Sequence, residues 1–121
     1  MEIFGVTDIL LGRALGGAEL RQRVIAGNIA NVNTPGFRRS DVPFQQSLRD
    51  ALASGDPARV GAARPQVVQD ATTALRADGN NVDVDAEMAR LAETQLLHGA
   101  VAGLLRDRIA MLRYVINEGR R

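Results

Sequence analysis

The sequence predicts a mainly all-α chain: long N- and C-terminal helices, with a short helix and an irregular or short β segment between them. Three observations carry this expectation. In the last third, Val84, Met88, Leu91, Gln95, His98, Ala102, Leu105, Ile109, Leu112 and Ile116 alternate spacings of four and three, as a heptad seam does. In the first third, Phe4, Leu11, Leu15, Ala18, Ile25, Ile29 and Val32 recur at spacings of three, four or seven. Hydrophobic residues make up 45% of the chain, yet aromatics only 3%, with no Trp. A compact core leans on large rings that each bury about 150–250 Å². Leu, Val, Ile and Ala are instead the residues of helix seams.

The first helix is expected from about Thr7 to Asn31 or Val32, with Thr7 or Asp8 as cap. Arg13, Arg21, Gln22 and Arg23 supply its polar neighbours, while Gly12, Gly16, Gly17 and Gly27 weaken it. Each glycine costs roughly 0.5–1 kcal/mol relative to Ala, so packing must hold this helix. It runs into Asn31-Val32-Asn33-Thr34-Pro35-Gly36-Phe37 and cannot run out. Pro35 lacks an N–H and pushes Thr34 out of the α region. Pro-Gly suits the centre of a type II turn, where Gly36 supplies φ > 0. Asn31 and Asn33 are placed to satisfy the last helical carbonyls. The segment is a joint that ends one helix and sets the direction of the chain after it.

Phe44, Leu48 and Leu52, spaced by four, predict a short helix within Pro43–Ala53, stopped by Ser54-Gly55-Asp56-Pro57. From there to Asp78 no period is sustained. Val67-Val68-Gln69 and Ala74-Leu75-Arg76 are expected to pair as short strands, in a stretch that is either a surface excursion or a loop ordered by a neighbour. Asp78-Gly79-Asn80-Asn81 is a turn by composition. The last helix is expected over Ala86–Ile116, about 46 Å long, with Asp83 or Asp85 as N-cap and Asp85 and Glu87 favoured by the helix dipole. Beside its seam lies a second row, Leu97, Val101, Leu104, Arg108, Met111 and Val115.

Two adjacent rows make a stripe wider than one partner helix covers. Leaving five such side chains in water forgoes about 7–15 kcal/mol, which rivals the whole stability of an ordinary domain. The chain reads as incomplete on its own, with cover supplied by other subunits. The alternative is a closed two- or three-helix bundle.

A net charge of +1, with acids and bases interspersed, leaves no footprint for nucleic acid or an acidic membrane surface. There is no cysteine, hence no disulfide or thiolate metal site. The first fifteen residues carry Glu2 and Asp8 and lack a basic n-region with a small-residue cleavage site, so no conventional signal peptide is expected, and no apolar run approaches the roughly 20 residues of a bilayer span. His98, the only histidine, falls on the seam and is read as a packed or interface residue, because no second His or Cys completes a site. The stretch Asp78–Glu87 fails as a calcium loop: Val82 takes a ligand position and Asp83 stands where Gly is required. Arg106, Arg108, Arg113, Arg120 and Arg121, with Asp107 and Glu118, read as the solvated face and end of a helix. No pair of groups is placed to activate a nucleophile or move a proton, so neither an enzyme nor a cofactor is expected.

Asn28-Ile29-Ala30-Asn31-Val32-Asn33-Thr34-Pro35-Gly36-Phe37 resembles the N-terminal signature of bacterial flagellar rod and hook proteins. Gly79-Asn80-Asn81-Val82-Asp83-Val84-Asp85-Ala86-Glu87-Met88-Ala89 resembles the C-terminal signature of the proximal, FlgB-type rod family. The likeness spans roughly the first and last 45 residues. It implies one rod-type domain over 1–121, with an N-terminal helical segment 1–33, a joint and middle 34–83, a C-terminal helix 84–117 and a tail 118–121. It further implies that the terminal helices pair as an antiparallel coiled coil and stack around a channel, forming a tube that transmits torque. Leu11, Leu15, Ile25 and Ile29 would then face Leu91, Leu105, Leu112 and Ile116. Leu97, Val101 and Ile109 would join the helix and subunit packing, and Asn31, Thr34, Pro35, Gly36 and Phe37 would turn the chain outward. The implied partners are other rod subunits and basal-body proteins near the membrane ring and export gate. The implied location is the periplasmic basal-body rod, reached by export without a cleaved signal, which overrules the soluble, cytoplasmic reading of composition alone. The chain is short for this pattern, and its shortfall lies in the middle. A soluble helical adaptor or secretion chaperone is the alternative function; it would share the helices but has no reason to carry the two signature blocks.

Overall fold

The computed structural model describes residues 5–119; Phe4 of the first apolar row and Arg120 and Arg121 lie outside the described residues. Six elements follow in order: α1 (Val6–Ala30), β1 (Ser40–Asp41), α2 (Phe44–Ala53), α3 (Pro57–Ala62), β2 (Val68–Gln69) and α4 (Val84–Glu118). The chain is mainly α-helical, with its two long helices packed together.

Local chemistry sets the ends of these helices. The N-cap of α1 is Gly5, not Thr7 or Asp8. Asp8 acts from inside the first turn, its carboxylate accepting the Gly5 N–H at 3.1 Å. Asp83 caps α4, accepting from the amides of Asp85 and Ala86 at 3.0 and 3.3 Å. One helix was not legible as a period: α3, six residues long, begins at Asp56-Pro57. Asp56 accepts the Ala58 N–H at 2.9 Å, and Pro57 fills the first helical position, where no N–H is needed.

The short helices rest on α1. Phe44 and Leu48 of α2 are buried with Val42, against Leu10, Ala14, Leu20 and Val24. Gly17 makes this possible, because a Cβ there would stand 1.9 Å from the Phe44 ring. The strand pairing differs from expectation. Val68–Gln69 pairs antiparallel with Ser40–Asp41, in register Ser40↔Gln69 and Asp41↔Val68, not with Ala74–Arg76. Residues 74–76 lie instead before a reverse turn, in which the Arg76 N–H donates to Asn80 O at 2.7 Å and the Gly79 N–H to Arg76 O at 2.9 Å. The stretch after α3 is exposed but tethered.

Three polar contacts fix α1 and α4 as antiparallel: Asn28 with Glu87, Glu19 with His98, and Asp8 with Arg108. The α4 residues turned toward α1 are Glu87, Leu91, Thr94, His98, Val101, Leu105, Arg108 and Leu112, all buried or half-buried. Their spacing is still four and three, but half of the expected row is replaced. Val84, Met88, Ile109 and Ile116 are exposed, Gln95 likewise, while Glu87, Thr94 and Val101 are buried. The physical reason is pairing. Asn28 is buried on α1, and Asp8 is half-buried there, and each needs a polar partner that Glu87 and Arg108 provide. Arg108, read as part of a solvated face, is thus a cross-helix tie.

Neither α2 nor α3 packs on α4 among the described residues. Met88, Leu96, Leu104 and Met111 therefore remain exposed, Leu96 at 77% of its area. The imbalance expected from the two apolar rows is present in the folded chain.

Candidate functional site at the helix joint

The C-terminus of α1 leaves carbonyls without helical donors, as every helix end does. Asn31 closes the first of these, Gly27 O, with both its backbone N–H at 3.1 Å and its side-chain amide at 2.7 Å. The chain then turns over Thr34–Phe37, with the Phe37 N–H donating to Thr34 O at 3.2 Å and Gly36 at φ 74°. That geometry is the type II turn Pro-Gly dictates. Thr34, Pro35 and Gly36 lie on the surface, while Asn31 and Phe37 are half-buried. Asn33 is exposed.

The Asn31 and Val32 N–H groups reach Asn28 O and Ile29 O at 3.1 and 3.2 Å, and the carbonyls just past the helix are bound from the far end of the sequence. Asn80 is 0% exposed. Its amide nitrogen lies 2.9 Å from Asn31 O, 3.1 Å from Val32 O and 2.9 Å from Thr34 O. Its side-chain oxygen accepts the Val82 N–H at 2.7 Å. One side chain thus closes the end of α1 and orders the entry to α4. Arg76 adds a second clasp, donating to the carbonyls of Val32 and Val82. The Gly36 N–H donates to Asp78 O at 2.8 Å, and Gly79, at φ 82°, lets the two turns approach: a Cβ there would sit 3.4 Å from Gly36 Cα. The two sequence blocks, more than forty residues apart, are one object.

Behind the turn lies a charge cluster that sequence reasoning missed. Arg39 is 4% exposed, with Glu87 and Asp70 hydrogen-bonded to its guanidinium and Asp41 at 3.4 Å from Nη2. The Asp41 contact lacks hydrogen-bond geometry, which leaves Nη2 unsatisfied. Glu87, wholly buried, also accepts from Asn28 at 3.1 Å and from Arg90 at 2.9 Å. Asn28 reaches β1 through the Ser40 carbonyl at 2.7 Å and amide at 3.1 Å, and Asn81 accepts the Arg39 N–H at 2.6 Å. The cluster therefore ties α1, β1, the stretch after β2 and the first turn of α4 together. Arg39 comes from a polar run after the joint, and Glu87 reads in sequence as a first-turn acid. Nothing in their spacing signals that they meet.

Electrostatics follow the same pattern. Burial pulls the Arg39 pKa down, but its bonds to Asp70 and Glu87 outweigh that and hold it above the ordinary value. Asp70 is held far below the carboxylate range by the Thr73 hydroxyl, the Thr72 amide and Arg39. Burial pushes Asp41 up, yet the Arg21 pair and the Val42 N–H leave it lowered. The carboxylates surround a guanidinium and its hydrogen bonds, an arrangement that fixes backbone segments and offers no nucleophile beside a base.

The other candidate residues lie along the helix pair. Ile25 and Val101 are buried; Leu11, Leu15, Ile29, Leu91, Leu97, Leu105 and Leu112 are half-buried; Ile109 and Ile116 are exposed. A cleft of 320 Å³ opens between α2 and α4, floored by Ala14, Gly17 and Ala18 of α1 and walled by Phe44, Leu48 and Leu97.

A family model described as "Flagella basal body rod protein" matches residues 11–38, which span α1 from Leu11 through the joint. The flagellar basal body rod protein FlgB of Bacillus subtilis (strain 168) is 32% identical, over 99% of this chain and 100% of that protein. FlgB of Borrelia hermsii is 35% identical, over 81% of this chain and 86% of its own length. FlgB of Escherichia coli (strain K12) is 28% identical, over 82% and 84%. These relatives are named as flagellar basal body rod proteins, and they do not favour an adaptor or chaperone.

Proposed function

The chain belongs to the FlgB family of flagellar basal body rod proteins, and from that premise we propose that it polymerises through α1 and α4 into the wall of the axial tube. It is a structural rod subunit, located in the flagellar basal body and associated with other rod and basal-body components. In our reading that tube transmits torque and encloses the export channel. The neighbours are proximal: components near the membrane ring and the export gate. The chain reaches them by export without a cleaved signal, acts as one rod-type domain over 1–121, and performs no catalysis.

The observation that carries this reading is the uncovered surface of α4. Leu96, Leu104, Met111, Val115 and Ile116 are each more than half exposed, and the chain's own short helices sit on α1 instead. Such a surface on one long helix marks an interaction site. The joint explains how the helices project. Asn31, Thr34, Pro35, Gly36 and Phe37 turn the chain out of α1, and Asn80 locks that turn to α4, so α2, α3 and the stretch after them are carried on one side. Leu11, Leu15, Ile25 and Ile29 with Leu91, Leu97, Val101, Leu105 and Leu112 hold the pair, and Ile109 and Ile116 face neighbours. Terminal helices that are marginal alone gain their cover on assembly.

The test is Leu104→Asp with Met111→Asp, two side chains of that exposed surface. Export should continue while incorporation into isolated basal bodies is lost. Incorporation equal to the parent chain would sink the proposal.

A further inference from the structure

The sheet formed by β1 and β2 has two outer edges, and one of them is closed. On the far side of β1, Asn28 takes the place of a strand: its side-chain amide donates to Ser40 O at 2.7 Å, and its oxygen accepts the Ser40 N–H at 3.1 Å. On the near side β1 carries β2 in antiparallel register, a pairing continued by the Asp70 N–H donating to Arg39 O at 2.9 Å. Peptide groups alternate in direction along a strand. Val68 and Asp70 turn theirs toward β1, so Val67 and Gln69 turn theirs outward, where they meet no partner among the described residues.

An open edge is a template for another strand, and proteins blunt it with charge, proline or cover. Here Gln66-Val67-Val68-Gln69 is uncharged and exposed throughout, with Val67 and Val68 keeping 54% and 49% of their area in water. The backbone is already extended at Ala63, with ψ 128°, so the edge is longer than β2 itself. Its ends are opposite in sign, Arg64 before it and Asp70 after it. Two such edges laid parallel would set like charge beside like. Laid antiparallel, they set Arg64 of one copy diagonally across from Asp70 of the other, within reach of a long side chain.

We propose that β2 is an interface for a second copy of this chain, the two edges pairing antiparallel about a twofold axis to join both sheets into one of four strands. The outward groups fix the register. Val67 of each copy exchanges N–H and C=O with Gln69 of the other, which places Val68 against Val68 on the axis, as a non-hydrogen-bonded pair with Cα atoms about 4.5 Å apart. A shift by two residues one way sets Gln69 opposite Pro65, which has no N–H to give. A shift the other way sets Val67 opposite Ala71, where the Thr72 and Thr73 amides turn back onto Asp70 and end the strand. This surface is separate from the exposed row of α4, and the inference goes beyond the rod reading without resting on it.

The chain has no cysteine, so one introduced thiol reports one position. Val68→Cys, oxidised with copper phenanthroline and run on a non-reducing gel, should form a disulfide-linked dimer at least about tenfold faster than Leu75→Cys, which is 48% exposed but off the edge. Val68→Lys should keep the parent's circular dichroism and weaken dimerisation, measured by sedimentation equilibrium, at least about tenfold. Leu104→Asp with Met111→Asp should leave dimerisation unchanged. Equal crosslinking by the two cysteine variants overturns the proposal. So does a Val68→Lys dimer as tight as the parent's, or a dimer lost in the α4 variant. So too does a parent chain that stays monomeric up to about 1 mM, which would leave the edge to a strand of a different protein. Incorporation into basal bodies enters none of these readouts, so a failed self-pairing leaves the rod assignment standing, and a failed incorporation test leaves the self-pairing standing.

Discussion

Asn80 carries more backbone than any other side chain at the joint. The two N–H bonds of its amide are shared among three carbonyls just past α1, and its oxygen accepts the Val82 N–H. Removing it takes one donor from each carbonyl, which keep the Thr34 N–H, Arg76 and the Phe37 N–H, and strands the buried Val82 N–H, at a cost of about 1–3 kcal/mol. Asn80→Ala should therefore destabilise the chain by about 1–3 kcal/mol, read as a lower urea midpoint by circular dichroism. Asn80→Asp should not restore it, because a carboxylate cannot donate to carbonyls; an Asp variant as stable as the parent would contradict the assigned role. Sequence reading placed Asn80 in a turn on composition and Asn31 at a helix end, and both are there. It did not find that the first closes the end of the second's helix, because a hydrogen bond across 49 residues leaves no local periodicity. Arg39 and Glu87 were missed for a related reason. A charged residue reads as solvated unless its partner is known, and here the partners come from opposite ends of the chain.

Among the elements, α1 and α4 were legible because each repeats an apolar spacing over many turns. The face of α4 that meets α1 was half legible. Leu91, His98, Leu105 and Leu112 stand in both the expected and the observed seam, whereas Glu87 and Arg108 displaced the more apolar Met88 and Ile109. Hydrophobicity ranks residues by transfer energy alone, and the seam was decided by which polar groups found partners. The packing of α2 onto α1 turns on a single residue and yields a paired prediction. Gly17→Ala puts a methyl 1.9 Å from the Phe44 ring and should cost about 1–3 kcal/mol. Gly16→Ala meets nothing and should stabilise by about 0.5–1 kcal/mol. Denaturant titration of the two variants checks the opposite signs, and a stabilised Gly17 variant would refute the contact.

Across the whole molecule, three carboxylates from distant positions share one electrostatic condition. Asp8 beside Arg108, Asp41 beside Arg21, and Asp70 beside the Thr73 hydroxyl and Arg39 are all held below the ordinary value of 3.8. A depressed folded-state pKa means that the unfolded chain binds the proton first. Their contribution to stability is fully present above about pH 4 and is lost as pH falls through the folded values. Stability from denaturant titrations should thus fall steadily below about pH 4, and Asp70→Asn should flatten that fall. An unchanged slope would show that Asp70 is not coupled to folding.

The amino-acid order alone determined the helical class, the joint at Pro35-Gly36, the caps at the start of α4 and the surplus of apolar surface on its face. All of these rest on interactions within a few residues or on a spacing repeated many times. Tertiary structure alone decided that the two signature blocks interlock through Asn80 and Arg39, that β2 pairs with β1, and that half of the α4 seam is polar. Those outcomes depend on which buried donor finds which acceptor. That matching exists only once segments far apart in the chain have been brought together.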